Sequence, residues 1–184
     1  MNTNNDTLFS FYKAPIYNTK PLKAMTLLQI YHILKSDEYK YCTEQLRQIN
    51  VAQPELARQY KAYSFDYCTF SGVFTSRKDS DLVKHSGLLC LDFDHLNNLN
   101  SLKMALIEDE QFETQLLFTS PSGDGLKWLI AIDPEAFKHE EYFQALCLYT
   151  KRKYANEPDK SGKDISRACF IPSDPNAYIN PNIQ

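Results

Sequence analysis

A continuous apolar run, Gly87-Leu88-Leu89-Cys90-Leu91, leads directly into Asp92, Phe93 and Asp94. Uninterrupted apolar runs of this length are typical of strands that are buried on both faces of a central sheet. Successive side chains of a strand point to opposite faces, so Asp92 and Asp94 share one face and Phe93 occupies the other. The sequence therefore predicts two neighbouring carboxylates at the end of a buried strand.

Two neighbouring carboxylates repel each other, and burial also removes their hydration. These effects destabilise the fold unless a positive charge neutralises the pair. A divalent cation such as Mg²⁺ or Mn²⁺ meets this need, because it prefers carboxylate and phosphate oxygens as ligands. The alternative is that Asp92 and Asp94 lie just beyond the strand in water, where they cap the following turn. The motif by itself leaves both interpretations open.

A polar segment at residues 119–127, with the sequence Thr-Ser-Pro-Ser-Gly-Asp-Gly-Leu-Lys, separates two apolar runs. Its glycines allow backbone N–H groups to point into a concave turn, and its hydroxyls and lysine add hydrogen-bond donors and positive charge. The candidate phosphate ligands are Ser120, Ser122, Gly123, Gly125 and Lys127. The segment is not a Walker A loop, because a strand rather than a helix is predicted to follow it. An ordinary hairpin turn is the alternative.

A loop rich in acidic and basic residues, at 159–167, precedes the last predicted strand. A carboxylate from this loop, either Asp159 or Asp164, would complete a two-metal site, and Arg167 would clamp a triphosphate through two hydrogen bonds. The alternative is a solvated loop whose salt bridges contribute less than about 1 kcal/mol each.

The formal net charge of -3 provides no overall attraction to nucleic acid, so binding would require a local basic groove. The candidates for such a groove are Arg77, Lys78, residues 151–153, Lys160, Lys163 and Arg167.

The chain of 184 residues is long enough for one substantial core, and we expect a single domain. The composition pattern predicts a mixed α+β fold, with a helical N-terminal portion at residues 1–60 and a core at residues 61–184. The core is expected to hold a central, largely antiparallel sheet with flanking helices. The polar tail does not resemble the close of a domain, so we expect the chain to be the N-terminal part of a longer protein.

Hydrophobic periodicity and turn residues predict the individual elements. Helices are expected at 25–34, at 44–49, at 54–60, from a cap at Asn98 or Asn100 to about 108, and from 134 to a point before 158. Strands are expected at 8–12 (as an edge strand), 63–70, 73–74, 87–91, 115–119, 128–132 and 167–171. The last helix has the clearest start signal, with Asp133 at the cap and Pro134 at the first helical position.

The five cysteines are odd in number, widely spaced and free of any Cys-x-x-Cys pair, which disfavours a disulfide framework and a zinc site. We expect them to be reduced and mostly buried, and the protein to be cytoplasmic. No apolar stretch approaches the roughly 18 residues that a membrane-spanning helix requires, so no membrane partner is expected.

Taken together and in this order, the three polar segments resemble the motifs of the archaeo-eukaryotic primase superfamily, the primase-polymerases. In that superfamily, a strand bearing two aspartates separated by one residue is followed by a Ser-Gly-x-Gly-Leu-His hairpin and then by a third aspartate. Residues 88–94 and 122–127 match the first two motifs, with Lys127 where many members have histidine. The third motif fits the layout of Asp159, Asp164, Arg167 and Pro172.

A closer resemblance, over most of residues 60–184, is to the VirE N-terminal domain family of bacterial mobile elements. The shared segments are Ser-Gly-Leu-Leu-x-Leu-Asp-x-Asp-His-Leu, Ser-Pro-Ser-Gly-x-Gly-Leu-Lys and Asp-Ile-Ser-Arg-Ala-Cys-Phe. This resemblance implies a primase-polymerase-like (RRM-like) catalytic core, often placed ahead of a helicase-type ATPase domain.

The resemblance implies a nucleotidyltransferase that takes a nucleotide triphosphate and single-stranded DNA or RNA, as template or primer, during replication of a mobile element. Asp92, Asp94 and Asp159 would hold two Mg²⁺ or Mn²⁺ ions, with Asp164 as the alternative third ligand. The hairpin residues and Arg167 would grip the triphosphate, and Arg77 would reach the template or the triphosphate. Lysine at position 127, with an ordinary pKa of about 10.4, retains phosphate binding more readily than proton transfer.

Two other functions are compatible with the sequence. In one, the domain is catalytically inactive and binds nucleotide or single-stranded nucleic acid to position a downstream ATPase domain. The lysine at position 127, the acidic net charge and the many tyrosines favour this reading. In the other, the aspartates and the glycine-rich turn are structural, and the domain is a protein-interaction module. A separation of more than about 10 Å between the aspartates and Lys127 would favour that module.

Overall fold

The computed structural model describes residues 7–183, except for the side chains of residues 50–52. The helices in this part of the chain are α1 Leu27–Lys35, α2 Lys40–Ala52, α3 Pro54–Ser64, α4 Leu99–Ile107 and α5 His139–Tyr154. The strands are β1 Phe9–Tyr12, β2 Lys23–Met25, β3 Tyr67–Thr69, β4 Gly72–Phe74, β5 Leu82–His85, β6 Leu88–Phe93, β7 Thr114–Thr119, β8 Leu126–Ala131, β9 Cys169–Phe170 and β10 Tyr178–Ile179. Short 3₁₀ turns occupy Asp79–Asp81 and Lys160–Lys163. Among the helices of this part, none has the length and apolar character needed to cross a membrane.

The described strands form two four-stranded sheets and one separate hairpin. The first sheet has the order β2-β1-β3-β9, the second has the order β10-β7-β8-β6, and β4 pairs with β5. All of these pairings are antiparallel. The predicted mixed α+β fold with antiparallel strands and flanking helices is therefore confirmed, and the strands are divided between two sheets.

Strand β1 lies inside its sheet rather than at the edge. Ser10 is paired with Ala24 of β2 on one side and with Thr69 of β3 on the other. The prediction of an edge strand was wrong because β2 has only three residues, two of which are exposed. Such a strand carries no apolar alternation that the sequence could reveal.

Strand β6 separates two hydrophobic clusters and thereby positions the acidic residues at its end. Leu89, Leu91 and Phe93 pack in the cluster that includes residues of α4 and α5. Leu88 and Cys90 face the other cluster, which includes residues of the first sheet and of helices α1 to α3. Because side chains alternate along a strand, Asp92 continues the face of Leu88 and Cys90. Asp92 is therefore directed to the side where the two sheets meet.

Helix α5 begins at His139, so the predicted start at Asp133 and Pro134 was wrong. The Asp133 side chain accepts a hydrogen bond from the backbone N–H of Glu135, and its carbonyl accepts one from Ala136. These bonds close a separate turn that satisfies the local cap signal before the helix starts. The helix is capped instead by Glu141, whose carboxylate accepts from the backbone N–H of Lys138 over 2.8 Å.

The other boundaries differ from the predicted ones mainly where no local signal exists. Of the two predicted cap residues, Asn98 caps α4, since its side chain accepts from the backbone N–H of Ser101. Strand β9 is shorter than predicted, and strands β2, β5 and β10 were not predicted. Strand β10 lies in the tail that the sequence presented as polar, where it pairs with β7. All five cysteines are free, and Cys68 and Cys169 are buried.

Two histidines form a chain of hydrogen bonds between β5 and α5. The backbone N–H of Gly87 donates to Nδ1 of His85 over 2.9 Å, and Nε2 of His85 lies 3.3 Å from Nδ1 of His139. His85 therefore carries its proton on Nε2, and both rings are neutral. Burial lowers the pKa of His85 to about 4, and the repulsion that would arise between two protonated rings adds to this effect. Burial also lowers the pKa of His139, against the opposing effect of a backbone hydrogen bond to Gly162.

We expect the protein to lose stability as the pH falls from 6.5 to about 4. The unfolded chain binds protons on histidine near pH 6.5, whereas folded His85 resists protonation until about pH 4. The contribution of His85 to the free energy of unfolding is therefore fully present above pH 6.5 and is lost as the pH falls toward 4. After allowance for solvent screening, this loss is about 1–2 kcal/mol. The measurement is the urea midpoint as a function of pH, which should fall less in His85→Gln than in wild type.

The control for this experiment is His32→Gln, at an exposed histidine of α1. It should show the wild-type pH dependence, because its ring takes no part in the hydrogen-bond chain. An acid-induced loss in His85→Gln equal to that of wild type would contradict the assignment to His85 and His139.

Candidate functional site

Three aspartates from two separate segments of the chain meet at the end of β6. Asp92 belongs to β6, Asp94 follows the strand, and Asp159 precedes the 3₁₀ turn Lys160–Lys163. Each offers a carboxylate oxygen, and these oxygens all lie within 4.8 Å of one another. The backbone N–H of Asp159 donates to the carbonyl of Asp92 over 2.8 Å, which fixes the third acid beside the strand. We call these three residues the acidic cluster.

Asp164, the alternative third ligand, lies outside the acidic cluster. Among the described residues, the group of acids close enough to share a metal ion contains Asp159 and not Asp164. The Asp164 side chain is exposed, and its backbone bonds to Ser161 and Arg167 within the loop. The structure thus singles out Asp159 as the candidate ligand from this loop.

Lys127 pairs with the acidic cluster from the neighbouring strand. The register of β6 and β8 places Lys127 opposite Asp92, and Nζ of the lysine forms an ion pair with Oδ1 of Asp92. The two side chains are 10% and 21% exposed, respectively, so the pair is largely withdrawn from water. Lys127 therefore contacts the acidic cluster directly, far inside the separation of about 10 Å beyond which one phosphate could not bridge metal and lysine.

The charges of the site are only partly compensated by this ion pair. Burial raises the pKa of Asp92, and the neighbouring charges of Asp94 and Asp159 add to this effect although Lys127 opposes it. Burial lowers the pKa of Lys127, but the charges of Asp92 and Asp94 outweigh it, so the net pKa is raised and the ammonium form is held. The pKa of Asp159 is lowered, because hydrogen bonds from Ser161 and the charge of Arg167 outweigh its burial. Lys127 and Arg167 thus pair with two of the three acids, and Asp94 takes part in no ion pair among the described residues, so a further cation would be bound favourably beside it.

Helix α3 supplies a second partly buried lysine that the sequence analysis missed. Burial and the charge of Lys127 lower the pKa of Lys61, while Asp94 and Asp92 partly oppose this effect. Its Nζ lies 5.8 Å from the centre of the Phe170 ring. Within residues 7–183, Lys61 takes part in no ion pair. The buried Ala57 lies four residues earlier on the same helix face, but its burial results from tertiary packing and is not a signal that the sequence carries.

A small cavity and Arg167 lie on the lysine side of the acidic cluster. Nη2 of Arg167 is 3.6 Å from Oδ2 of Asp159, and the arginine side chain is half exposed. A cavity of about 20 Å³ is lined by Asp92, Lys127, Asp164 and Arg167, among others. This volume suits one water-sized group. A phosphate chain bound here would therefore extend outward past Arg167 to solvent.

The glycine-rich turn packs closely against the end of β6. A Cβ at Gly125 would lie 2.3 Å from the carbonyl oxygen of Phe93 and 3.2 Å from Oδ1 of Asp94. Only glycine therefore allows the turn to approach the acidic cluster so closely. The same point is 3.1 Å from Oγ of Ser120, a buried hydroxyl without a hydrogen-bond partner among the described residues. Ser120 thus carries a free donor next to Asp94.

The other part of this turn has a structural role in a hairpin. Gly123 has a φ of +88°, and its backbone N–H donates to the carbonyl of Ser120 over 3.0 Å. Nε of Arg47, from α2, donates to the carbonyl of Pro121 over 3.3 Å. Ser122 is partly exposed between these contacts. A phosphate role for Ser122 and Gly123 stays a prediction, because the N–H of Gly123 is already bonded within the turn.

Arg77 lies against a different part of the first sheet. Its guanidinium is 5.2 Å from the centre of the Tyr67 ring, and Nη2 donates to the carbonyl of Ile16 over 3.0 Å. None of the contacts made by Arg77 within the described residues connects it to the acidic cluster. Its assignment to template or triphosphate stays a prediction without a supporting contact.

The acidic cluster has the chemistry that a small divalent cation requires. Its donors are carboxylate oxygens, which Mg²⁺ and Mn²⁺ prefer. Asp94 is exposed, so coordination positions on that side face solvent and are open to phosphate or water. Such open positions are typical of Mg²⁺ sites, which keep several waters or substrate oxygens. The residues present therefore fit Mg²⁺ or Mn²⁺.

Fold and site together define a mixed α+β domain in which an acidic cluster and a buried lysine lie at one end of an antiparallel sheet. A family model described as BT4734-like, N-terminal domain, matches residues 59–179. The chain belongs to this family. The matched residues include the acidic cluster, Lys127, Arg167 and Lys61. Comparisons with curated proteins and with solved structures gave no match.

Removing the lysine of the ion pair should destabilise the fold. We expect Lys127→Met to lower the free energy of unfolding by about 3 kcal/mol, because Asp92 is left buried without its counter-charge. The double variant Asp92→Asn with Lys127→Met should recover most of this loss, since no uncompensated charge remains. Urea denaturation at pH 7 measures both effects.

The matched control is Lys84→Met, at an exposed position of β5. It should change the free energy of unfolding by less than about 0.5 kcal/mol, as is usual for surface substitutions. A double variant as unstable as Lys127→Met alone would show that lost packing, and not charge, accounts for the effect.

Proposed function

We propose that this domain is a primase-polymerase-like nucleotidyltransferase that binds a divalent metal and a nucleotide triphosphate and extends nucleic acid. The observation that carries this proposal is the convergence of Asp92, Asp94 and Asp159 within 4.8 Å of one another, beside the ion-paired Lys127. Three carboxylates beside a phosphate-compatible cation are the arrangement that phosphoryl transfer with metal ions needs. The resemblance to primase-polymerases supports the same reaction.

Each residue of the site has a role in this proposal. The acidic cluster would hold Mg²⁺ or Mn²⁺, which when bound lowers the pKa of an attacking 3′-hydroxyl and stabilises charge on phosphorus. Lys127 remains an ammonium ion because its pKa is raised, so it would hold a phosphate and would not accept a proton. Ser120 would donate its free hydroxyl to a phosphate oxygen.

Arg167 and Lys61 would complete the binding of the triphosphate. Arg167 is half exposed at the mouth of the small cavity, where a phosphate chain would emerge. A guanidinium binds phosphate through two parallel hydrogen bonds. Lys61 lies partly buried near Lys127 without an ion-pair partner among the described residues, and an anionic ligand would supply that partner.

A second function, that of a catalytically inactive binding module, is favoured by one observation. Lys127 already neutralises Asp92, and this contact gives the acidic cluster a counter-ion in the absence of metal. In this alternative, the domain binds nucleotide or single-stranded nucleic acid and positions a downstream helicase-type ATPase domain. Binding of nucleotide without incorporation would distinguish this function from catalysis.

The biological setting is part of the proposal and depends on the resemblance to proteins of bacterial mobile elements. The domain would act in replication of such an element, in the cytoplasm, with DNA or RNA as template or primer. The partly exposed cations Arg167 and Lys61, rather than the net charge of -3, would attract the polyanionic substrates.

The test of the enzymatic function is primer extension with labelled nucleotides and Mn²⁺. We expect wild type to incorporate nucleotide, and Asp94→Asn and Asp159→Asn each to lose activity by about 100-fold or more, because each removes a metal ligand. Asp94 is exposed and Asp159 is partly exposed, so both variants should fold.

Asp37→Asn is the control, since this exposed carboxylate pairs with Lys40 and lies outside both the acidic cluster and the small cavity. It should retain activity within about threefold of wild type, as a surface change does. No incorporation by wild type, or equal activity in Asp159→Asn and wild type, would refute the enzymatic function.

A second test separates the binding role of Lys61 from any structural role. We expect Lys61→Met to weaken binding of Mn²⁺ with inorganic tripolyphosphate by about tenfold, as for loss of one charged hydrogen bond. The free energy of unfolding should stay the same or rise, because a partly buried cation without an ion-pair partner is removed. Calorimetry and urea denaturation measure the two quantities.

Arg58→Met is the control on the same helix, since Arg58 is exposed and pairs only loosely with Glu55. It should leave tripolyphosphate binding unchanged. Parallel losses of stability and affinity in Lys61→Met would mean that Lys61 supports the fold instead of the ligand.

A further inference from the structure

A second, larger cavity adjoins the acidic cluster on the side away from Lys127. It has a volume of about 370 Å³ and lies between the start of α4 and the end of α5. Asp94 belongs to its lining and also to the acidic cluster, so the two are contiguous. The volume falls within the range of about 300–1,000 Å³ that is typical of small-molecule sites.

The two cavities that touch the acidic cluster differ in charge. The small one is lined by Lys127 and Arg167 together with Asp92 and Asp164, so its cations balance its acids. The lining of the larger one contains no lysine or arginine; it has Asp94 and Glu157 as acids and several uncharged polar groups. These groups are Asn97, Asn98, Ser101 and Asn156, with His95 beside them. Binding of phosphate groups is therefore more favourable in the small cavity than in the larger one.

The amides of the larger cavity have hydrogen-bonding capacity to spare. Oδ1 of Asn98 accepts from the backbone N–H of Ser101, which leaves its NH₂ group for another partner. Nδ2 of Asn156 donates to the carbonyl of Tyr154 over 2.7 Å, which leaves its carbonyl oxygen. The cavity thus offers one amide donor group and one amide acceptor, a combination suited to the uncharged edge of a base or to sugar hydroxyls.

The backbone is held in an uncommon conformation at both sides of this cavity. His95 and Ala155 have φ values of 54° and 53°, and they are the non-glycine residues with positive φ in the described chain. Both line the larger cavity. The side chain of His95 is held there by a hydrogen bond between its Nδ1 and Oδ2 of Asp124 in the glycine-rich turn, at 2.7 Å. Such conformations carry a cost in stability and tend to occur at ligand-binding sites.

We propose that the larger cavity binds the nucleoside part of a nucleotide whose phosphates lie on the Lys127 side of the acidic cluster. This inference rests on the proposed function, since it requires a metal-bound triphosphate at the acidic cluster. A nucleotide held at Asp94 has to direct its sugar and base away from the phosphates. The larger cavity is contiguous with Asp94, presents uncharged amides and is large enough for a sugar and a base.

Calorimetry with two ligands separates this inference from the proposed function. In the presence of Mn²⁺, wild type should bind nucleoside triphosphates at least about tenfold more tightly than inorganic tripolyphosphate. Ser101→Trp places an indole in the cavity from an exposed position of α4. It should reduce nucleotide affinity to that of tripolyphosphate and leave tripolyphosphate binding unchanged, which also shows that the variant is folded.

The control is Met104→Trp, on the same helix but outside the lining of the cavity, where the side chain is 54% exposed. It should bind both ligands like wild type. Equal affinity of wild type for the two ligands, or equal losses of both in Ser101→Trp, would overturn the nucleoside site while the metal and phosphate site stands. Binding of neither ligand by wild type would refute the proposed function, and the nucleoside site with it.

Discussion

The ion pair between Asp92 and Lys127 determines how the candidate site is built. It forms because the register of β6 and β8 places these residues opposite each other on the same face of the sheet. A shift of one residue would turn Lys127 to the other face. Such a shift is prevented by Leu89, Leu91 and Phe93, which would leave their hydrophobic cluster at the same time. The packing of apolar side chains therefore fixes the position of charges on the opposite face.

The part of this arrangement that could be predicted from sequence is the part encoded by short-range pattern. The apolar run and the alternation along β6 are local, so the strand and the shared face of its aspartates were predictable. The choice between Asp159 and Asp164 was not, because a backbone hydrogen bond between Asp159 and Asp92 decides it. That contact joins segments distant in sequence, and no local pattern reveals it.

Local sequence signals also gave one wrong helix boundary, because the residues that predicted the helix start form a separate turn before the helix begins. Asp133 and Pro134 are residue types that are typical of a helix start. Asp133, however, makes its hydrogen bonds within a separate turn, and α5 begins only later, at His139. Lys61 shows the opposite case, since its sequence context is that of an ordinary helical lysine. Its position near Lys127 arises only when α3 packs against the sheets, and this packing is a tertiary effect.

The charges around the site are arranged so that a metal–phosphate complex can enter without a large change in net charge. Asp92, Asp94 and Asp159 are negative, and Lys127, Arg167 and Lys61 supply positive charge from three different elements of the chain. A triphosphate with its divalent cations is itself close to neutral, and under the proposed function its cations would replace Lys127 and Arg167 as partners of the acids. The basic side chains would thereby become available to the phosphates. The ion pairs of the free protein and the proposed binding of ligand would then be two uses of the same groups, which would make lysine compatible with the buried position opposite Asp92.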